Sequence, residues 1–256
     1  MATLASAPGE CCARGVQHSG TPLGMIEKIG GFDTYIARPP APEGAAQGRQ
    51  QRILLYFADG YGPLYINSKL IQDFFASQGY LVLGIDYFEG DSVAYHLDEP
   101  GYDMSEWAEP IYKRVVEREY VPQWIAAVKE RFGTADTKYV AAGYCFGAPF
   151  VMDCLAFDWV AAGAFAHPAY LDEDHFRQIK RPLLLSCAEI DETFPLDARR
   201  RAEDILLEYK AMYHIQVFGQ VKHGFAIRGD NHDQAGRWAK ERSADAIMSW
   251  FDLYCK

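Results

Sequence analysis

Apolar residues along the 256-residue chain fall into short runs of strand length, separated by longer stretches compatible with helix. Residues 32–37 alternate apolar with polar and read as a strand. Residues 52–58, 80–86 and 138–142 read as buried strands, and further strand-like runs lie at 160–166, 182–188 and 213–218. Helical stretches fall between them at 67–78, 112–131, 148–156, 197–209 and 234–253. The first has Asn67 or Ser68 as its N-cap and Gly79 just past its end; the second is broken by Pro122. Residues 2–24 and 89–110 look irregular, and 38–49, rich in Pro, Gly, Ala and Gln, read as a flexible connection. Strands alternating with helices imply an α/β fold with a mostly parallel sheet covered on both faces. The chain reads as one domain, 1–256, with an N-terminal arm at 1–24 and a possible lid around 89–122.

One strand-to-helix junction carries chemistry. Gly143-Tyr144-Cys145-Phe146-Gly147 joins the strand at 138–142 to the helix at 148–156. Gly-x-nucleophile-x-Gly is the elbow of the α/β-hydrolase fold, here with Cys where Ser usually stands. The turn is so tight that a side chain at either glycine would meet neighbouring backbone. Cys145 then projects above the sheet edge, and the amide of Phe146 points at a carbonyl oxygen held over the sulfur. In this fold the acid and the base follow the nucleophile in chain order. The strand at 182–188 runs into Glu189-Ile190-Asp191-Glu192, and Asp191 is the expected acid, in competition with Glu189 and Glu192. The strand at 213–218 is followed by Gly219-Gln220-Val221-Lys222-His223-Gly224-Phe225, and His223 is the expected base. His167, at the end of the 160–166 strand, faces the same sheet edge and either touches substrate or completes a turn.

Bulk properties narrow the picture. Hydrophobic content is 49% and charged content 23%, as for a globular protein with a large core. Formal net charge is −10, with Arg199-Arg200-Arg201 as one short basic run, so nucleic acid and anionic membrane are not expected partners. No apolar stretch approaches the length of a membrane span, and the N-terminus lacks a signal-peptide pattern. The six cysteines are too sparse for a disulfide scaffold, and a thiol nucleophile suits a reducing compartment, so a cytoplasmic protein is expected. Cys11, Cys12 and His18 are three possible metal ligands with no fourth nearby in sequence; packing of the arm is the favoured reading, with no metal and no cofactor. A redox role for Cys145 would need a resolving cysteine beside it, and Cys154 lies two to three helical turns away.

With the elbow, the Glu189-Ile190-Asp191 turn, His223-Gly224-Phe225 followed by Arg228-Gly229-Asp230, and the N-terminal Cys11-Cys12…Gly15…His18 pattern, the chain resembles the dienelactone hydrolase family, in particular fungal members. The resemblance implies hydrolysis of cyclic or activated esters by a Cys-His-Asp triad, here Cys145, His223 and Asp191. It also implies a carboxylate and a second oxyanion amide in Ala58-Asp59-Gly60-Tyr61-Gly62. Asp59 stands for the usual Glu, and the amide of Gly60 joins that of Phe146. Bacterial members bind a substrate carboxylate with two arginines. Here Phe88-Glu89-Gly90-Asp91 has none, and Ile227 takes the second place with Arg228 one position on. A less charged aromatic or polyketide-like lactone or ester is therefore expected to suit the site. Tyr61, Tyr65, Tyr87, Phe88, Tyr95, Trp107, His167, Phe225 and Arg228 are candidate contacts beside Asp59. The same triad would also serve a cyclase, isomerase or acyltransferase, and the fold alone would serve a ligand-binding protein. A monomer or a homodimer is equally compatible.

Overall fold

The computed structural model describes residues 2–13, 15–40 and 50–256, so most of the expected connection at 38–49 lies outside the described residues. The elements follow in order as β1 (Thr3–Ala5), β2 (Met25–Ile29), β3 (Phe32–Ala37), β4 (Arg52–Phe57), α1 (Ile66–Ser77), β5 (Leu81–Ile85), α2 (Met104–Glu117), α3 (Tyr120–Phe132), β6 (Lys138–Tyr144), α4 (Ala148–Leu155), β7 (Ala162–Ala166), β8 (Leu171–Asp172), α5 (Glu173–Gln178), β9 (Leu183–Ile190), α6 (Leu196–Glu208), β10 (Tyr213–Lys222), α7 (Phe225–Arg228) and α8 (Gln234–Tyr254). Eight strands form one sheet in the order β10-β9-β7-β6-β4-β5-β3-β2. From β10 to β5 every pairing is parallel; β3 and β2 add an antiparallel edge. The expected α/β-hydrolase fold with a mainly parallel sheet is the observed one.

The apolar runs explain the layering. Along β4, Ile53, Leu55 and Phe57 face one core while Leu54 and Tyr56 face the other, the two-residue period of a strand buried on both sides. The first core is closed by α2 to α6 through Ile111, Trp124, Phe150, Phe176 and Ile205, and the second by α1 and α8 through Phe75, Ile247 and Phe251. Because the central strands run parallel, the loops after β4, β6, β7, β9 and β10 open on the same sheet edge.

Several local expectations are corrected. The expected caps Asn67 and Ser68 lie inside α1, which starts after Tyr65. Asn67 is buried and instead holds the arm, its Nδ2 donating to the carbonyls of Val16 (2.8 Å) and Ile227 (3.0 Å). The break in the second helical stretch falls at Glu119, which adopts φ +52°, and not at Pro122. Pro122 sits in the first turn of α3, where the helix has no acceptor for its missing N–H. The irregular 89–110 stretch contains the start of α2, capped by Asp103, whose carboxylate accepts from the amides of Ser105 and Glu106. The arm is not wholly irregular: β1 pairs antiparallel with β8.

Candidate active site

The elbow is built as its glycines require. Cys145 follows β6 directly, with φ +47°, and begins a single helical turn, Cys145–Gly147, that leads into α4. A Cβ on Gly147 would overlap the carbonyl oxygen of Phe57, and one on Gly143 would stand 2.7 Å from the carbonyl oxygen of Gly147. Neither position accepts alanine without moving backbone. The thiol is fully buried.

The structure brings Asp191 and His223 together. Asp191 follows β9, and its Oδ1 accepts from the amides of Thr193 (3.0 Å) and Phe194 (3.1 Å), a local turn that fixes the carboxylate. His223 Nδ1 lies 2.9 Å from the same oxygen. The Thr193 hydroxyl stands 2.7 Å from Asp191 Oδ1 and 3.0 Å from His223 Nδ1, closing a small triangle that sequence reasoning missed. Both members of the pair are buried. Burial opposes charge on Asp191, but His223 and Thr193 outweigh it and hold the carboxyl below its usual range. On His223 burial is likewise outweighed, by the Cys12 sulfur and the Asp191 carboxylate, which raise the imidazole well above its ordinary value. Glu189 is exposed and accepts instead from the amide of Gln220 (2.6 Å), and Glu192 is exposed, so of the three carboxylates it is Asp191 that meets His223.

A second thiol stands between Cys145 and His223. Cys12 Sγ lies 3.2 Å from His223 Nε2, and Cys145 Sγ donates to Cys12 Sγ at 3.5 Å. Among the described residues Cys145 Sγ has no other hydrogen-bond partner. Sequence spacing offers only Cys154 as a resolving cysteine, whereas the structure places Cys12 beside Cys145. Chain spacing could not reveal this neighbour, which comes from the far end of the sequence. His18 does not join Cys11 and Cys12; its ring bonds the carbonyl of Gly229 at 2.8 Å. The arm is fastened on both sides of the cysteines. Tyr61 donates to the carbonyl of Ala13 (2.7 Å), and the amide of Val16 donates to the carbonyl of Arg228 (3.0 Å).

Around the thiols lies an apolar cluster of Tyr61, Val93, Met104 and Ala169 with Cys12 and Cys145, edged by Tyr65, Tyr102, Trp107 and Tyr170. Phe88 is buried against Trp107 (ring centroids 5.3 Å) and Phe146 (5.0 Å). Trp107 comes close to Gly60, whose amide is the second candidate oxyanion donor. Phe225 packs between Phe218 and His167. Tyr95, expected near the substrate, is exposed. Asp59 and Arg228 are both buried and paired through Asp59 Oδ2 and Arg228 Nη1, so a plain surface role for either is excluded. The guanidinium also lies 4.5 Å over the Tyr61 ring, and burial lowers it to about 10, leaving it charged at neutral pH. Glu89 and Asp91 are exposed and engaged elsewhere, Glu89 by Arg114 and Asp91 by His96.

His167 is fully buried, 4.8 Å ring to ring from His223, with no partner for either ring nitrogen among the described residues. Burial, with His223 adding to it, lowers it well below the ordinary imidazole range. The folded protein keeps His167 neutral while the unfolded chain binds a proton below about pH 6.5, so this group makes stability fall as pH falls, by about 1.4 kcal/mol per unit. His167→Gln should flatten the loss of urea stability between about pH 6.5 and 5. An unchanged slope would show that His167 titrates normally.

A parallel sheet, a strained thiol on a strand-to-helix elbow, and an Asp-His pair delivered by the next loops define an α/β-hydrolase. The matches to known proteins specify which branch. The chain matches the dienelactone hydrolase family over residues 32–255 and belongs to it. It is 36% identical over 258 residues to Dienlactone hydrolase 1 of Gibberella moniliformis, covering 98% of this chain and 95% of that protein. It is 32% identical over 261 residues to hydrolase tropI of Talaromyces stipitatus, covering 99% of each. Among solved structures it is similar in fold to a dienelactone hydrolase-like promiscuous phosphotriesterase from metagenomic libraries, with TM-score 0.68, 17% identity, and coverage of 91% of this chain and 98% of that one. The protein is a carboxylic ester hydrolase of lactone or ester type. No helix among the described residues is long and apolar enough to cross a membrane.

Proposed function

We propose that the protein hydrolyses a weakly charged aromatic or polyketide-like lactone or activated ester through a thioester on Cys145. The observation that carries this reading is the Asp191–His223 pair held at 2.9 Å beside a buried elbow thiol. A free thiol is mostly protonated at neutral pH, with a pKa of about 8.5, so it needs a base and a positive environment. The N-terminus of α4 supplies partial positive charge, and His223 takes the proton. Asp191, with Thr193, fixes the tautomer and supports the imidazolium. The thiolate adds to the carbonyl carbon, the amides of Phe146 and Gly60 receive the oxyanion, and the alcohol leaves with the proton from His223. Water activated by His223 then cleaves the thioester and restores the thiol. Phe88, Trp107 and Tyr61 offer aromatic surface to the acyl group. Arg228, engaged by Asp59, adds little attraction for a dianionic substrate.

Cys12 occupies the space between Cys145 and His223, so the arm moves aside before an acyl group enters and the base meets the nucleophile. The stretch around 89–122 acts as the lid, with Met104 and Trp107 in the same apolar cluster as Cys12 and Cys145. The same motion leads to an expected result: Cys12→Ala should speed alkylation of Cys145 by iodoacetamide, read by peptide mass. An unchanged rate would mean that the arm does not limit access.

The reading is tested by intact-protein mass spectrometry during turnover of neutral aryl lactones, aryl esters and dienelactone. A transient acyl adduct and products one water heavier are expected, with neutral substrates turned over fastest. Products of unchanged mass would favour a cyclase or isomerase, and faster turnover of dienelactone would overturn the substrate assignment.

A further inference from the structure

The arm brings two thiols to the candidate base in an arrangement that hydrolysis does not require. Cys11, Cys12 and His223 each place one ligand atom within 4.8 Å of the others. The sulfurs of Cys11 and Cys12 are 3.7 Å apart, and Cys12 Sγ is 3.2 Å from His223 Nε2. A tetrahedral zinc ion with bonds of about 2.3 Å to sulfur and about 2.0 Å to nitrogen spans edges of about 3.8 and 3.5 Å, which the Cys11–Cys12 and Cys12–His223 edges already approach. His223 is already oriented as a ligand. Its Nδ1 is held by the Asp191 carboxylate, which leaves Nε2 facing the thiols, the carboxylate–histidine–metal arrangement that fixes ring and tautomer. Cys145 Sγ, 3.5 Å from Cys12 Sγ, stands close enough to provide a fourth donor after a small movement; otherwise water does.

We propose that Cys11, Cys12 and His223 form an inhibitory site for a thiophilic divalent cation of the zinc type. Binding displaces the protons held by the two sulfurs and by Nε2 to solvent as two metal–sulfur bonds and one metal–nitrogen bond form, and no electron transfer is involved. The ion ties the arm to the loop after β10, which holds Cys12 over Cys145 and removes His223 as a base. Only the inhibitory consequence rests on the proposed function; metal binding does not.

The test uses the full chain, reduced and freed of metal by chelator. Co2+ is added first, and the absorption of its bonds to thiolate is followed. Zn2+ affinity is then measured by competition with a chromophoric chelator, and hydrolysis of a neutral aryl ester is followed with and without Zn2+. Wild type should bind one ion and release protons as it does so. Zn2+ should inhibit hydrolysis, and chelator should restore it. Cys11→Ser should hydrolyse the ester normally without metal, yet bind Zn2+ more weakly by about 100-fold, the upper end of the loss expected for a mere outer-shell partner. Cys11→Ala serves in its place if the serine variant unfolds. Equal Zn2+ affinity and equal inhibition in both proteins would remove Cys11 from the site and overturn the proposal, as would no binding to wild type. If no ester is hydrolysed but the cobalt–thiolate absorption appears in wild type and weakens in Cys11→Ser, the metal site stands and the hydrolytic assignment of Cys145 and His223 fails.

Discussion

Cys145→Ala should lower kcat for a neutral aryl ester on the order of 10⁵-fold, because the acyl group then has no acceptor. The variant keeps the Cβ, so the strained φ of +47° and the packing of the elbow persist and the thermal midpoint should barely move. His223→Ala should cost about as much, and the double variant no more than either, since nucleophile and base act as one unit and their losses are far from additive. The residual rate should come from the amides of Phe146 and Gly60, each worth on the order of 3 kcal/mol where such donors have been removed. Single-turnover kinetics with an aryl ester provide the measurement. A Cys145→Ala variant within tenfold of wild type would place the nucleophile elsewhere, and Cys12 would become the first thiol to test.

Arg228→Met should destabilise the fold by about 3–5 kcal/mol, the largest stability effect expected from a single substitution near the site. Arg228 and Asp59 are 3% and 0% exposed, so removing the guanidinium leaves a carboxylate in the interior without its counter-charge. The cation over the Tyr61 ring is lost as well. The pair need not stabilise the protein relative to an apolar one, because desolvating two charges offsets their attraction. Asp59→Leu combined with Arg228→Met should therefore recover most of the loss. Urea midpoints of the wild type, each single variant and the double variant form the cycle that tests this. A single variant with a wild-type midpoint would mean that the interior charge is relieved by solvent. Because Tyr61 also bonds the arm at Ala13, the single variants should in addition loosen the residues around Cys12.

Much of the fold was legible because its determinants are local. The buried strands announced themselves as apolar runs, and the elbow needed only two glycines and a nucleophile at fixed spacing. Asp191 and His223 were found because parallel strands deliver their following loops to one sheet edge. Shorter elements escaped. β1 and β8, of three and two residues, are held by backbone hydrogen bonds and are too brief to show any period. Glu119, which ends α2 and lets α3 begin, carries no sign of its left-handed backbone, whereas Pro122 drew attention to itself and proved harmless in the first turn. Thr193 looked like an ordinary loop residue until the turn after β9 folded it onto Asp191 and His223.

By itself the amino-acid sequence determined the α/β-hydrolase class, the thiol on the elbow at position 145 and the chain order in which Asp191 and His223 follow it, since each of these rests on neighbours a few residues apart. Only the tertiary structure decided which carboxylate meets His223, that Asp59 and Arg228 neutralise each other in the interior, and that Cys12 lies between Cys145 and His223. Cys12 and Cys145 are 133 positions apart, and Cys12 and His223 are 211 apart. Their meeting depends on the path of the arm, which main-chain pairing of β1 with β8 and the anchors at Tyr61, Asn67 and Arg228 determine together, and no local pattern records a path.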